Sequence, residues 1–296
     1  MTTTERLQTS ASTWDMPQKE VLRYAGVARD LNDIHWCSEA ATDAGFQRPI
    51  VHGMFALGRL LVDLERVVGV GRISQVAVRF ERPAPVGSQL SPVFTPSPDG
   101  GYDIGVVDGS GTVTLSGRAC TEKSGDSLRS ESPRGDVVAE RAFLVERGPA
   151  ARLADVLGAD DPVYADRAVA RSVGWSDVPT VPSFGFVLPA WGFFTDLPGN
   201  GGQSPPDVVA ECQQWCGTLQ PVVHATQGFT FTRPIVVGEV LRSRTRILGR
   251  RVVESRGRRL HFTDVSTELK DEHDRHVLTS DMGLVVIEAA DSEETR

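Results

Sequence analysis

Disulfide chemistry is the first thing this 296-residue chain lacks, since it carries only four cysteines, Cys37, Cys120, Cys212 and Cys216. Their spacing is irregular and contains no Cys-x-x-Cys pair, so neither a disulfide framework nor a zinc ribbon is encoded, and reduced thiols are expected. Long apolar runs are missing too. The longest, Val181 to Phe194, is broken by Pro182, Gly185, Pro189 and Gly192, and the opening MTTTERLQTSASTWD has no apolar core behind positive charge. No membrane span or signal peptide is expected, and the cytoplasm is the expected compartment. Positive charge is in short supply as well: a net charge of −8 and a pI near 5.3 exclude a sequence-independent nucleic-acid binder, which needs a dense basic surface to displace counterions from phosphates.

What is present points to two units. A chain of 296 residues exceeds one ordinary compact domain. Thr121 to Arg134 (TEKSGDSLRSESPR) has no apolar periodicity and reads as a linker, which divides the chain into 1–120, a linker 121–140, and 141–296. Leu197 to Asp207 is a second irregular stretch, and Asp291 to Arg296 an acidic, frayed tail. The two halves share a repeat. Phe80-Glu-Arg-Pro-Ala-Pro-Val-Gly87 is echoed by Phe231-Thr-Arg-Pro-Ile-Val-Val-Gly238 at an offset of 231 − 80 = 151, which also aligns Leu90 with Leu241. Each copy opens a series of short alternating apolar segments. Their turn signals are Asp99-Gly100-Gly101 and Asp108-Gly109 in one half, Arg256-Gly257 and Lys270-Asp271 in the other, the pattern of antiparallel meanders. Upstream, Met54, Leu57, Leu60, Leu61, Leu64 and Val68 recur at three- and four-residue steps and predict a helix over Met54 to Val68 with one broad apolar face. Such a helix is satisfied when the following sheet curls around it. The expected fold is therefore α+β, a tandem (double) hot dog in which each half is an antiparallel sheet around a central helix and the two sheets pair edge to edge.

The chemistry-bearing stretch is Tyr24 to Gly53, YAGVARDLNDIHWCSEAATDAGFQRPIVHG. It resembles the signature of the MaoC-like (R)-specific enoyl-thioester hydratases: Asp30, Asn32, Ile34 and His35, then Ala44-Gly45-Phe46, Pro49-Ile50 and His52-Gly53, in order and spacing. Arg29 stands where that family usually has glycine, and Asp33 where it has proline. The resemblance implies a paired acid/base role for Asp30 and His35 and an oxyanion-hole N–H for Gly53, with Asn32 and His52 supporting the loop. Hydrating an enoyl thioester needs a water deprotonated at the β-carbon, a proton for the α-carbon, and charge stabilisation at the thioester oxygen, and a shared water between two tunable groups supplies the first two. Gly53 directly precedes the predicted helix, where the dipole favours negative charge. Taken singly these residues have plainer readings: Asp30 and Asn32 as turn or cap residues, His35 and His52 as satisfied, partly buried histidines. The ordered set favours the functional reading.

The second half, from Val145 to Phe184, resembles the FAS1-like dehydratase-type partner of such domains. An offset of 164 − 35 = 129 aligns Asp33-Ile34-His35 with Pro162-Val163-Tyr164 and Gly45-Phe46 with Gly174-Trp175. Ala159 then replaces Asp30 and Tyr164 replaces His35, so one active site per chain is expected, and Pro189 is expected to cut the second central helix short. Arg250, Arg251, Arg256, Arg258 and Arg259 flank a predicted hairpin. They read first as a solvated edge and second as a contact for a thioester carrier, with Arg256, Arg258 and Arg259 the named candidates. The resemblance implies a hydro-lyase acting on an acyl-CoA or acyl-carrier-protein substrate, with no cofactor and no metal, in a monomer or homodimer. A hot-dog thioesterase using Asp63 or Glu65, and a catalytically silent acyl-binding or pairing subunit, are the alternatives.

Overall fold

A computed structural model describes residues 8–9, 13–98, 100–121, 135–201, 207–217, 220, 222–255 and 257–288. Asp99, Arg256, residues 122–134 of the expected linker, residues 202–206 and the tail 291–296 lie outside the described residues. The first half runs β1 (Gln8–Thr9), β2 (Trp14–Asp15), α1 (Gln18–Ala28), a 3-10 turn (Asp33–His35), α2 (Ser38–Asp43), α3 (Gly53–Val68), β3 (Gln75–Phe80), β4 (Gln89–Pro96), β5 (Gly101–Asp108) and β6 (Val113–Cys120). The second runs β7 (Asp136–Leu144), α4 (Arg147–Leu157), a 3-10 turn (Pro162–Tyr164), α5 (Arg167–Ser172), α6 (Phe184–Trp191), α7 (Val208–Cys216), β8 (Val222–Phe231), β9 (Val240–Ser255), β10 (Arg258–Lys270) and β11 (His276–Glu288).

The strands form one antiparallel sheet in the order β1-β4-β5-β6-β3-β8-β11-β10-β9-β7, with β2 also on β4. This is the double hot dog. The halves join where β3 pairs β8, and Ala77 faces Gly228, its own repeat mate at 228 − 77 = 151. Val76 faces Phe229 and Val78 faces Gln227, so the register is two-fold symmetric about that pair. Joining there satisfies two strand edges that would otherwise expose backbone donors and acceptors. β7 begins at Asp136, inside the stretch read as linker, and Phe143 pairs Leu241 on β9 as Trp14 pairs Leu90 in the first half.

Two offsets relate the halves, and their difference has a structural meaning. The 3-10 turns, α1 and α4, and α2 and α5 all begin 129 residues apart (162 − 33, 147 − 18, 167 − 38), whereas the sheets align at 151. The surplus of 151 − 129 = 22 residues falls between the blocks, where the second half carries α7. The sequence reading gave that segment no helix. α7 rests on β8 and β11 through Cys212 and Cys216 packed with Val265, Leu284 and Val286.

The central helices differ in length as Pro189 leads one to expect: α3 has 16 residues and α6 has 8, with Pro189 in its last turn. α3 departs from its expected single apolar face. All residues from Met54 to Glu65 except Arg59 are buried, because β4 and β5 cover one side and α4 another. Leu57, Leu60, Leu61 and Leu64 are fully inside, where truncation of one to alanine costs about 2–5 kcal/mol.

Candidate active site

The loop after α1 is set by its helix cap. Arg29 closes α1 in the left-handed region (φ 56°, ψ 25°), a conformation that suits glycine and that costs a side-chain-bearing residue about 1 kcal/mol. Here the arginine has a local compensation. Its guanidinium lies over the ring of Trp191 from α6, 5.3 Å from the centroid, and Trp191 Nε1 donates to the Val27 carbonyl. A residue of the second half thus buttresses the turn that delivers Asp30. Asn32 Oδ1 accepts from the Ile34 N–H at 3.3 Å and caps the 3-10 turn, while Asp33 occupies the position that Pro162 fills in the second half without loss of the turn.

His35 is buried on that turn, and its Nδ1 lies 2.8 Å from the Ile50 carbonyl oxygen. A carbonyl only accepts, so Nδ1 carries the proton and Nε2 the lone pair. Nε2 faces Asp30 Oδ2 at 4.0 Å, and the Asp30 side chain remains 39% exposed. Burial holds the His35 pKa below its ordinary value, opposed by the Asp30 charge and the Ile50 bond, so the ring is neutral near pH 7. Two acceptors 4.0 Å apart repel each other unless something donates to both. A water about 2.8 Å from each fits that gap.

His52 stacks on His35 with centroids 3.6 Å apart and planes at 23°, and its Nε2 donates to the Asp30 carbonyl at 3.2 Å. It therefore holds the backbone of Asp30 rather than its carboxylate. Burial first, then the neighbouring His35, pushes its pKa down to about 4. Tyr24 backs it at 5.1 Å and stacks on Phe55. Gly53, the first residue of α3, has an N–H with no acceptor among the described residues, and a Cβ there would lie 2.8 Å from the Phe80 ring. A side chain at this position would have to displace the Phe80 ring.

Asp30, His35 and His52 bring their donor atoms within 4.8 Å of one another, which raises the question of a metal. The set fits one poorly. Imidazole lone pairs lie in the ring plane, and in two nearly parallel stacked rings they run side by side instead of converging on one ion. The acids a thioesterase would use are engaged elsewhere: Asp63 accepts from Trp14 Nε1 at 3.0 Å and pairs with Arg66, and Glu65 accepts from Tyr164 Oη and from the Gly71 N–H. Of the three carrier candidates, Arg256 lies outside the described residues, Arg258 is exposed on the β9–β10 hairpin, and Arg259 pairs with Glu288 and Glu254. Among the described residues nothing joins that hairpin to the Asp30 loop.

At the matching place in the second half Ala159 has no carboxylate, and Tyr164 turns its hydroxyl to Glu65 of α3. Burial pushes the Glu65 carboxyl up to about 7. Two contributors to the first-half site escape the sequence: Trp191 and His224, both supplied by the second half. The only sign of His224 is a polar residue directly after the Val222–Val223 apolar pair.

Two family models match this chain. Residues 2–98 match the MaoC like domain, and residues 134–280 match the FAS1-like dehydratase domain region. A UPF0336 protein of Clavibacter michiganensis subsp. michiganensis is 33% identical over 99 residues, which is 33% of this chain and 58% of that relative. Two solved structures share the fold: a MaoC domain protein from Chloroflexus aurantiacus (TM-score 0.64, 11% identity, 96% of this chain and 95% of that one), and a conserved hypothetical protein of Mycobacterium tuberculosis with a double hotdog fold (TM-score 0.63, 13% identity, 96% of each).

Proposed function

Because this chain joins a MaoC-like domain to a FAS1-like dehydratase region in one double hot dog, we propose that it is a hydro-lyase adding or removing water at the α,β-double bond of an acyl thioester. The observation that carries the reading is the pair of acceptors, Asp30 Oδ2 and His35 Nε2, 4.0 Å apart, with Gly53 following in sequence the His52 that stacks on His35. In the hydration direction a water donates one hydrogen to each group. As its oxygen bonds to C3, His35 Nε2 takes a proton, and the imidazolium is stabilised by the Asp30 carboxylate. The electron pair of the C2–C3 bond moves to C2 and the thioester oxygen, where the Gly53 N–H and the α3 dipole meet the developing charge. The proton is then returned to C2. Water is consumed, one C–O and one C–H bond form, and both groups regain their starting state. Dehydration is the reverse.

The substrate is a trans-2-enoyl or (R)-3-hydroxyacyl thioester of coenzyme A or a carrier protein, and the second half serves as a non-catalytic partner. Purified protein should bleach the enoyl-thioester absorbance of trans-2-enoyl-CoA without releasing free thiol, yielding a 3-hydroxyacyl thioester. Thiol release with the double bond intact would instead make it a thioesterase. Inactivity on CoA and carrier-protein thioesters alike would make it a silent partner.

A further inference from the structure

One polar side chain near the site has no role in the chemistry above. His224 lies on β8, where the inward residues Gln227, Phe229 and Phe231 alternate toward the core. Simple alternation would turn residue 224 to the other face. The pairing of β8 with β11 slips, however: Gly283 faces Thr226 while Leu284 faces His224, so Ala225 is an extra residue. That bulge brings His224 back to the inner side, the kind of re-aiming bulges perform beside functional sites. The ring sits 5.2 Å from Phe80 and 5.7 Å from Phe186. Phe80 is the same ring that closes over Gly53.

His224 Nε2 is shut off from solvent with no hydrogen-bond partner, and so is Oε1 of nearby Gln227. The amide nitrogen of Gln227 is already committed to the Gly228 carbonyl at 2.7 Å and Ser280 Oγ at 2.9 Å. Burial pushes the His224 pKa down to about 4 against the charge of Asp30 and the pull of the Thr226 backbone and the Gln227 side chain, so the ring is neutral and close to the Asp30 site. Beyond that mutual pull neither atom has a hydrogen bond of good geometry, and buried polar atoms so placed beside Phe80 and Phe186 are costly unless a ligand satisfies them.

Building on the hydro-lyase reading, we propose that His224 is a specificity-determining residue, contributed by the second half, that hydrogen-bonds an oxygen substituent on the acyl chain beyond C3. A hydroxyl fits best, because its oxygen can accept from a protonated Nε2 while its single hydrogen is donated to Gln227 Oε1. The preferred substrates are then oxygen-substituted acyl thioesters rather than plain hydrocarbon chains. A site built for a hydroxyl discriminates strongly against the chain that lacks it, since its own polar groups are left bare.

The test is calorimetric binding of saturated straight-chain acyl-CoAs with and without a hydroxyl at C4, C5 or C6, which requires no turnover. The wild type should bind one hydroxylated chain about tenfold or more tighter than its plain counterpart. His224→Leu should erase that ratio while binding the plain chain at least as well, and His224→Gln, which keeps a polar tip, should retain part of it. A ratio near one in the wild type, or an equal ratio in wild type and His224→Leu, overturns the proposal and leaves a buried water as the occupant. Hydration of trans-2-enoyl-CoA by the same preparations separates the two ideas. Hydration with no His224-dependent ratio sinks only this inference, whereas a His224-dependent ratio without hydration upholds it and sinks the hydro-lyase reading.

Discussion

The loop from Asp30 to Gly53 and its counterpart from Ala159 to Phe184 have nearly the same backbone and opposite chemistry. Both contain a 3-10 turn capped by an Asx side chain, Asn32 in one and Asp161 in the other, followed by a six-residue helix. In the first, the turn presents His35 Nε2 to Asp30. In the second, it presents Tyr164 to Glu65, a residue of the other half, and the group that could have faced a substrate is spent on holding the halves together. The frame survives because its determinants are local caps and apolar anchors such as Ile34 and Val163. The proposed chemistry depends on two side chains, Asp30 and His35, whose places Ala159 and Tyr164 take in the second half. The pair is also unequal in direction: Trp191 and His224 of the second half serve the first-half site, and Glu65 of the first half closes the second.

The largest expected effect separates the two loops outright. Asp30→Asn and His35→Ala should each lower kcat for enoyl-thioester hydration by about 100- to 10,000-fold with circular dichroism unchanged, whereas Tyr164→Phe should leave kcat within about twofold. A large kcat loss in Tyr164→Phe would mean that the second half is not catalytically silent. Next comes Gly53→Ala. Its Cβ would meet Phe80 at 2.8 Å, so a stability loss of about 1–3 kcal/mol in denaturant titration should accompany reduced turnover.

Acid–base behaviour sharpens the comparison further. Glu65 titrates near 7 when folded against an ordinary 4.5, so the folded state binds the proton more tightly and stability falls as pH rises from about 4.5 through 7. Glu65→Gln keeps an acceptor for Tyr164 and removes the penalty. It should raise stability by about 2 kcal/mol at pH 8.5 and change little at pH 4.5. His52 shifts the other way. Its folded pKa of about 4 lies below the unfolded 6.5, so the unfolded chain takes up the proton first and stability drops as pH falls from 6.5 toward 4. Activity that needs a neutral His35 is lost in acid as well, below that residue's own lowered pKa. The smallest effect belongs to the helix cap. Arg29→Gly relieves the left-handed strain but forfeits the Trp191 stack, and Arg29→Ala forfeits the stack alone, so the glycine variant should be the more stable by about 1 kcal/mol.

Much of the fold was legible in the sequence because the repeat is an arithmetic fact. Phe80 and Phe231 at offset 151 relate the same two strands whose symmetric pairing sets Ala77 opposite Gly228. The loop was legible because its members are contiguous between Tyr24 and Gly53. What could not be read is what crosses between halves. Trp191 meets Arg29, Tyr164 meets Glu65, and His224 meets Phe80 over separations that no local pattern encodes, and the bulge at Ala225 obeys no two-residue period. The enclosure of α3 was missed for the same reason, since α4 covers the side that helical periodicity leaves open.

The most direct measurement is the stereochemistry of hydration in deuterium oxide, read by NMR of the 3-hydroxyacyl product from trans-2-enoyl-CoA. One water held between Asp30 and His35 predicts a single diastereomer, with the deuteron at C2 and the hydroxyl at C3 added to the same face. Addition to opposite faces, or a mixture of diastereomers, would contradict a shared water and with it the assignment of that pair.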